Sequence, residues 1–138
     1  MNNPMKTEII KAKTLKEYLT PEHCFIYENL SSEKVSIARA RVKSGVTTVA
    51  HHLEGADEIY IITKGRGRVY LGNHDPAEVT VGDVIAIPSG TSQRIANVGK
   101  TDLVFYCVCT PRFTAECYID EERTIGKNEA ASENTGVR

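Results

Sequence analysis

The residues able to do chemistry fall in two short stretches. His51, Glu58 and Tyr60 lie within Gly45–Gly67, and Gln93 lies within Gly82–Asn97. Side chains alternate faces along a β-strand, so Glu58, Tyr60 and Ile62 share one face, as do Gln93, Ile95 and Asn97. An imidazole, a carboxylate and an amide oxygen brought to one interior spot are the start of a divalent-metal site. The same three groups serve equally as a hydrogen-bonding pocket, with His51 an interior histidine and Gln93 bound to a ligand or to Glu58. A carboxylate followed by Ile59 and Tyr60 on a core strand costs several kcal/mol to bury unpaired, so Glu58 needs a cation or a strong partner. Tyr60 is placed to give a proton or to anchor a ligand.

Strands must position these groups. Val46–Leu53 is rich in Val and Thr, Glu54–Asp57 supplies turn residues, and Glu58–Lys64 carries Ile-Tyr-Ile-Ile. Paired as a hairpin with coincident faces, they bring His51 to Glu58. In the second stretch Gly82-Asp83 marks a turn, Val84–Ile87 an apolar strand and Pro88–Thr91 another turn, followed by the strand of Gln93.

Together the two stretches resemble the paired motifs of the cupin superfamily. The first motif sets a glycine, a His-x-His, a glutamate and a closing glycine at fixed spacing. Gly45, His51, Glu58 and Gly65 fall in that register, with Leu53 in the place of the second histidine. In the second motif Gly82, Pro88, Gly90 and Asn97 match, and Gln93 stands where a histidine would be. The resemblance covers roughly residues 35–113. It implies an all-β, single-domain double-stranded β-helix, the jelly-roll or cupin barrel. Within the superfamily the chain is similar to small single-domain cupins of the sugar-phosphate-isomerase-like group.

The resemblance further implies a divalent metal (zinc, nickel, iron or manganese) on His51, Glu58 and Gln93, with Tyr60 as the catalytic acid or base. The expected activity is isomerisation, lyase chemistry or oxygenation of a small oxygenated metabolite. With Leu53 and Gln93 replacing two ligands, a non-catalytic ligand-binding or sensor barrel without metal stands beside it.

Size and composition agree with one domain. The chain has 138 residues, 41% hydrophobic and 25% charged, enough to bury a core. A net charge of −1 without a basic block excludes a nucleic-acid or anionic-membrane partner. The first residues, MNNPMKTEII, hold no signal-peptide core, so a cytoplasmic protein is expected. Cys24, Cys107, Cys109 and Cys117 form no zinc-type pair and read as reduced thiols, one of which is a possible soft ligand for the depleted site.

The remaining elements frame the barrel. Residues 1–34 read as an arm, with Glu8–Lys11 a short edge strand and Thr14–Glu17 a capping box opening a helix of about two turns before Pro21. Cys24–Glu28 reads as a strand and Leu30–Glu33 as a turn. Val35–Val42 alternates; with the alanine face inside, Arg39 and Arg41 lie on the outer face or at an interface, and turned inward they would form an anion pocket. Leu103–Cys109 is apolar on both faces, as expected of a strand between the barrel interior and a partner surface, and a homodimer follows. His52 points away from His51, and His74 lies in a solvent-facing turn. Residues 114–123 form a C-terminal arm around Tyr118, and 124–138 a polar, disordered tail.

Overall fold

The computed structural model describes residues 3–122. Among them are eleven strands: β1 Tyr18–Leu19, β2 Phe25–Ser32, β3 Val35–Val42, β4 His51–Leu53, β5 Asp57–Lys64, β6 Arg66–Leu71, β7 Ala77–Thr80, β8 Val84–Ile87, β9 Gln93–Asn97, β10 Leu103–Thr110 and β11 Tyr118–Asp120. They form two antiparallel sheets, ordered β1-β2-β3-β10-β5-β8 and β11-β4-β9-β6-β7. Ile26, Val42, Ile62, Ile95, Leu103 and Phe105 from both inner faces fill the space between the sheets. This is the all-β jelly-roll barrel that the motif spacing implies.

The expected hairpin does not form. β4 pairs with β9 and β11, whereas β5 lies between β10 and β8 in the other sheet. The turn residues after Leu53 make a corner between sheets, with Gly55 at φ +85°. Gly65, also at φ +85°, makes the return corner from β5 to β6. His51 and Glu58 therefore approach from opposite sheets, both facing inward. The strand expected over Val46–Leu53 shortens to β4, yet its first half still follows β9: Thr48 N–H donates to Ile95 O at 2.9 Å, and Asn97 N–H to Val46 O at 2.9 Å.

The N-terminal arm also differs. Ala12–Thr14 is one 3₁₀ turn, and neither a two-turn helix nor a strand over Glu8–Lys11 is present. The capping box fails because its carboxylate is taken elsewhere. Arg41 Nε and Nη2 donate to Glu17 at 2.9 and 2.7 Å, and Thr14 Oγ1 donates to Lys11 O instead. A bidentate guanidinium bond outweighs a neutral cap, and the chain extends into β1. β2 belongs to the barrel sheet rather than to an arm, and its pairing with β3 runs from Phe25 to Ser32. Arg39 and Arg41 lie on the outer face as expected, Arg41 stacked 4.4 Å from the Phe25 ring and bound to Asp102 at 3.2 Å.

Hydrogen bonding to Arg41 lowers the Glu17 pKa below its ordinary 4.5. A depressed carboxylate stabilises the fold above its unfolded pKa, and the contribution disappears as pH falls through the folded value. Both side chains are about a quarter exposed, at 23% and 26%, so Glu17→Gln should cost only ~0.5–1 kcal/mol at neutral pH. Urea unfolding at pH 7 and at about pH 3 checks this, because the gap to the parent should close in acid. An equal gap at both values would show that Glu17 acts through packing alone.

All four cysteines are buried and none forms a disulfide among the described residues. Along β10, Leu103, Phe105, Cys107 and Cys109 face inward, while Tyr106 and Val108 are half-buried outside. The polar tail expected from Thr124 lies outside the described residues.

Candidate functional site

β9 delivers the first group. Its burial alternates, with Gln93, Ile95 and Asn97 all inward. Asn97 is used by the scaffold, and Gln93 is placed opposite His51 in the β4–β9 register. Tyr60, inward on β5, donates its hydroxyl to Gln93 Oε1 at 2.5 Å. One hydrogen bond thus joins the two sheets across the interior. Gln93 and His51 are each 1% exposed, and Tyr60 is 4%.

His51 is held by its neighbours on two sides. Nδ1 lies 2.8 Å from Val49 O, so Nδ1 carries a proton and, in the neutral ring, Nε2 is the acceptor. The ring stacks on Tyr118 of β11, with centroids 4.7 Å apart and 18° between planes. Glu58, one strand repeat before Tyr60 and on the same face, is 1% exposed and accepts from the Cys109 thiol at 3.5 Å. Cys109 packs with Leu53, Ala56, Cys117 and Tyr118. His51, Tyr60 and Gln93 are therefore contiguous, and Glu58 joins them through Tyr60's face of β5 and through Cys109 and Tyr118.

Tyr118 is a site residue that strand alternation did not assign. Residues 114–123 showed only a strand or arm, and its partner on β4 is set by long-range pairing. Of the four cysteines, Cys109 bonds directly to a site carboxyl group, Glu58. His52 points to the opposite face, half-buried, with Nδ1 2.6 Å from Glu121 and Nε2 3.4 Å from Glu54. Burial pulls its pKa down, but the bonds to Glu121 and Glu54 outweigh this and hold it above the ordinary imidazole value. His74 is exposed and lines a shallow outer groove with Tyr70, Ser92 and Arg94.

A resident metal fits these donors poorly. Leu53, 2% exposed, fills the place of a second imidazole with apolar surface. The Gln93 amide oxygen already accepts from Tyr60. Among the described residues no group of three His, Cys, Asp or Glu side chains is placed to hold an ion. What remains is an acceptor nitrogen, a buried carboxyl group, a phenol and an amide, a set suited to hydrogen bonding and proton exchange.

Comparison with known families decides the ancestry of this barrel. A cupin-domain model matches residues 38–109, from the middle of β3 to the end of β10. The chain belongs to the cupin family. This cupin is 36% identical over 117 residues to an uncharacterised protein of Methanocaldococcus jannaschii, covering 81% of the chain and 90% of that protein. It is 35% identical over 86 residues to an oxalate-binding protein of Thermotoga maritima, covering 62% of the chain and 70% of the relative. Among solved structures, a predicted oxalate decarboxylase from Thermotoga maritima superposes with TM-score 0.69 at 27% identity, covering 75% of this cupin and 99% of that chain. KdgF from Halomonas sp. superposes with TM-score 0.71, covering 77% and 96%, at 14% identity, a likeness of fold alone. Among the described residues no helix is long and apolar enough to cross a membrane.

Proposed function

We propose that this cupin binds a small oxygenated molecule at His51, Glu58, Tyr60 and Gln93, and that the site works through hydrogen bonds and proton exchange without a resident metal. The observation that carries the reading is the 2.5 Å bond from the Tyr60 hydroxyl to Gln93 Oε1. It commits one of the two lone pairs of the amide oxygen a metal would use and leaves the Gln93 amide N–H groups as donors. His51 Nε2 and the Glu58 carboxyl group act as acceptors. Two acceptors beside an amide donor match the hydroxyl and carbonyl groups of a small oxygenated metabolite.

Thermal-shift titrations with oxalate and with small neutral sugars and polyols test this, with and without nickel. A neutral hydroxylated compound should raise the melting temperature without metal. Tyr60→Phe or Gln93→Ala should weaken that binding about tenfold, or ~1.4 kcal/mol, the size of one well-made hydrogen bond. A shift that needs nickel would favour the second reading instead.

The second reading is a metal-dependent isomerase, lyase or oxygenase, with zinc, nickel, iron or manganese on His51, Glu58 and Gln93 and with Tyr60 as acid or base. One observation favours it. Nδ1 of His51 faces a backbone carbonyl, the orientation that ligating imidazoles commonly adopt.

A homodimer completes the proposal. Outward on the six-stranded sheet, Ile61 is 38% and Val84 61% exposed, beside half-buried Ile37, Ile59 and Val108. A second copy presents the same strip about a two-fold axis. Light scattering should give about twice 15.2 kDa; a monomer mass at micromolar concentration would refute it.

A further inference from the structure

The loop from β1 to β2 brings a second carboxyl group, that of Glu22, into the interior. Thr20-Pro-Glu-His-Cys24 reads in sequence as a turn, with nothing to mark an inward residue. In the fold, Thr20 Oγ1 donates to Cys24 O at 2.9 Å and accepts from Glu22 N–H at 3.2 Å. Val49 N–H donates to Glu22 O at 3.2 Å, and His23 turns the chain in the left-handed region at φ +77°. These bonds drive the Glu22 side chain inward until it is 7% exposed. Its Oε1 takes the Cys24 thiol at 3.8 Å. Its Oε2 is buried with no hydrogen-bond partner among the described residues.

Glu22 borders a small cavity of about 10 Å³, walled also by Cys24, Thr48, Tyr60, Phe105 and Cys107. That space admits one water-sized group. We propose that this cavity binds an ammonium group, either the free ion or the protonated head of a small amine. No basic side chain lines it, so a buried carboxylate there has no cation from the protein. Water would supply a donor and leave the charge uncompensated. An ammonium group supplies both the charge and the N–H. A metal is the weaker occupant, because Glu22, Cys24 and Cys107 are not placed as a three-donor group.

Parent and Glu22→Gln would be titrated with ammonium, ethylammonium, tetramethylammonium and sodium chlorides at constant ionic strength, reading melting temperature. The expected result is a saturable rise with ammonium or ethylammonium, absent with the other two salts and absent in Glu22→Gln. A rise with ammonium alone assigns the free ion; a rise with ethylammonium as well assigns an amine head. Nitrogen-15 ammonium should also give a proton signal shielded from solvent exchange in the parent and not in the variant, which does not depend on stability. Equal rises with all four salts, a rise retained by Glu22→Gln, or no shielded signal at saturating ammonium would overturn the proposal.

Discussion

Gly65→Ala should destabilise this cupin by roughly 3–5 kcal/mol, at the severe end of single substitutions. Gly65 turns the chain from β5 into β6, and so from one sheet into the other, at φ +85°. The left-handed region alone costs a residue with a β-carbon about 1–2 kcal/mol. Here that carbon would also lie 2.5 Å from Asp102 O and 3.0 Å from Leu103 Cα. Both are backbone atoms at the start of β10, and Leu103 is fully buried at 0% exposure, so neither can swing aside as a side-chain tip would. Gly82 is the internal control. Its φ is +93°, yet an added carbon would meet nothing within 4 Å, so Gly82→Ala should cost only about 1–2 kcal/mol. Urea unfolding of both variants measures the difference. Equal losses would mean that the close approach of β10 to this corner is not a feature of the fold.

Asn97→Ala should cost about 2–4 kcal/mol without touching the ligand site. Asn97 points inward from β9, but its amide serves the frame. Nδ2 donates to Val42 O and to Thr101 O, both at 2.8 Å, and Oδ1 accepts from Gly99 N–H at 2.9 Å. One side chain thereby ties the end of β3 to the loop before β10. Alanine leaves two carbonyls and one N–H without it, each in a poorly solvated place. Asn97→Asp is more telling because the shape is kept. It removes both donated bonds and sets a carboxylate against two carbonyl oxygens, so the loss at pH 7 should equal or exceed that of alanine. Recovery of stability by the aspartate variant below about pH 4, where the carboxyl group is protonated, would support the electrostatic cause. A loss below ~1 kcal/mol in both variants would contradict it.

Both cases show what was legible in the chain and what was not. Strand positions followed from alternation, since a period of two over Val35–Val42, Glu58–Lys64 and Gln93–Asn97 leaves little choice of face. Gly45, Gly65, Gly82 and Asn97 lay in the motif spacing, and that spacing set His51, Glu58 and Gln93 on inward faces. Which sheet each strand joins was hidden. A turn after Leu53 looks the same whether it closes a hairpin or crosses between sheets, and only the partners of β4 and β5 decide. The helix expected after Thr14 failed for a related reason, because Glu17 is bound by Arg41, distant in sequence. Tyr118 against His51, Cys109 against Glu58, and Glu22 inside the barrel are likewise consequences of topology. No local pattern carries them.

The central claim is that the interior site binds its ligand without a resident metal. Titration calorimetry of the untagged parent with nickel and with zinc, after mass spectrometry of its metal content as purified, tests it most directly. The claim predicts far less than one ion per chain and no saturable heat with either metal. About one ion per chain, held in calorimetry and lost in His51→Ala, would contradict it and establish the metal on His51, Glu58 and Gln93.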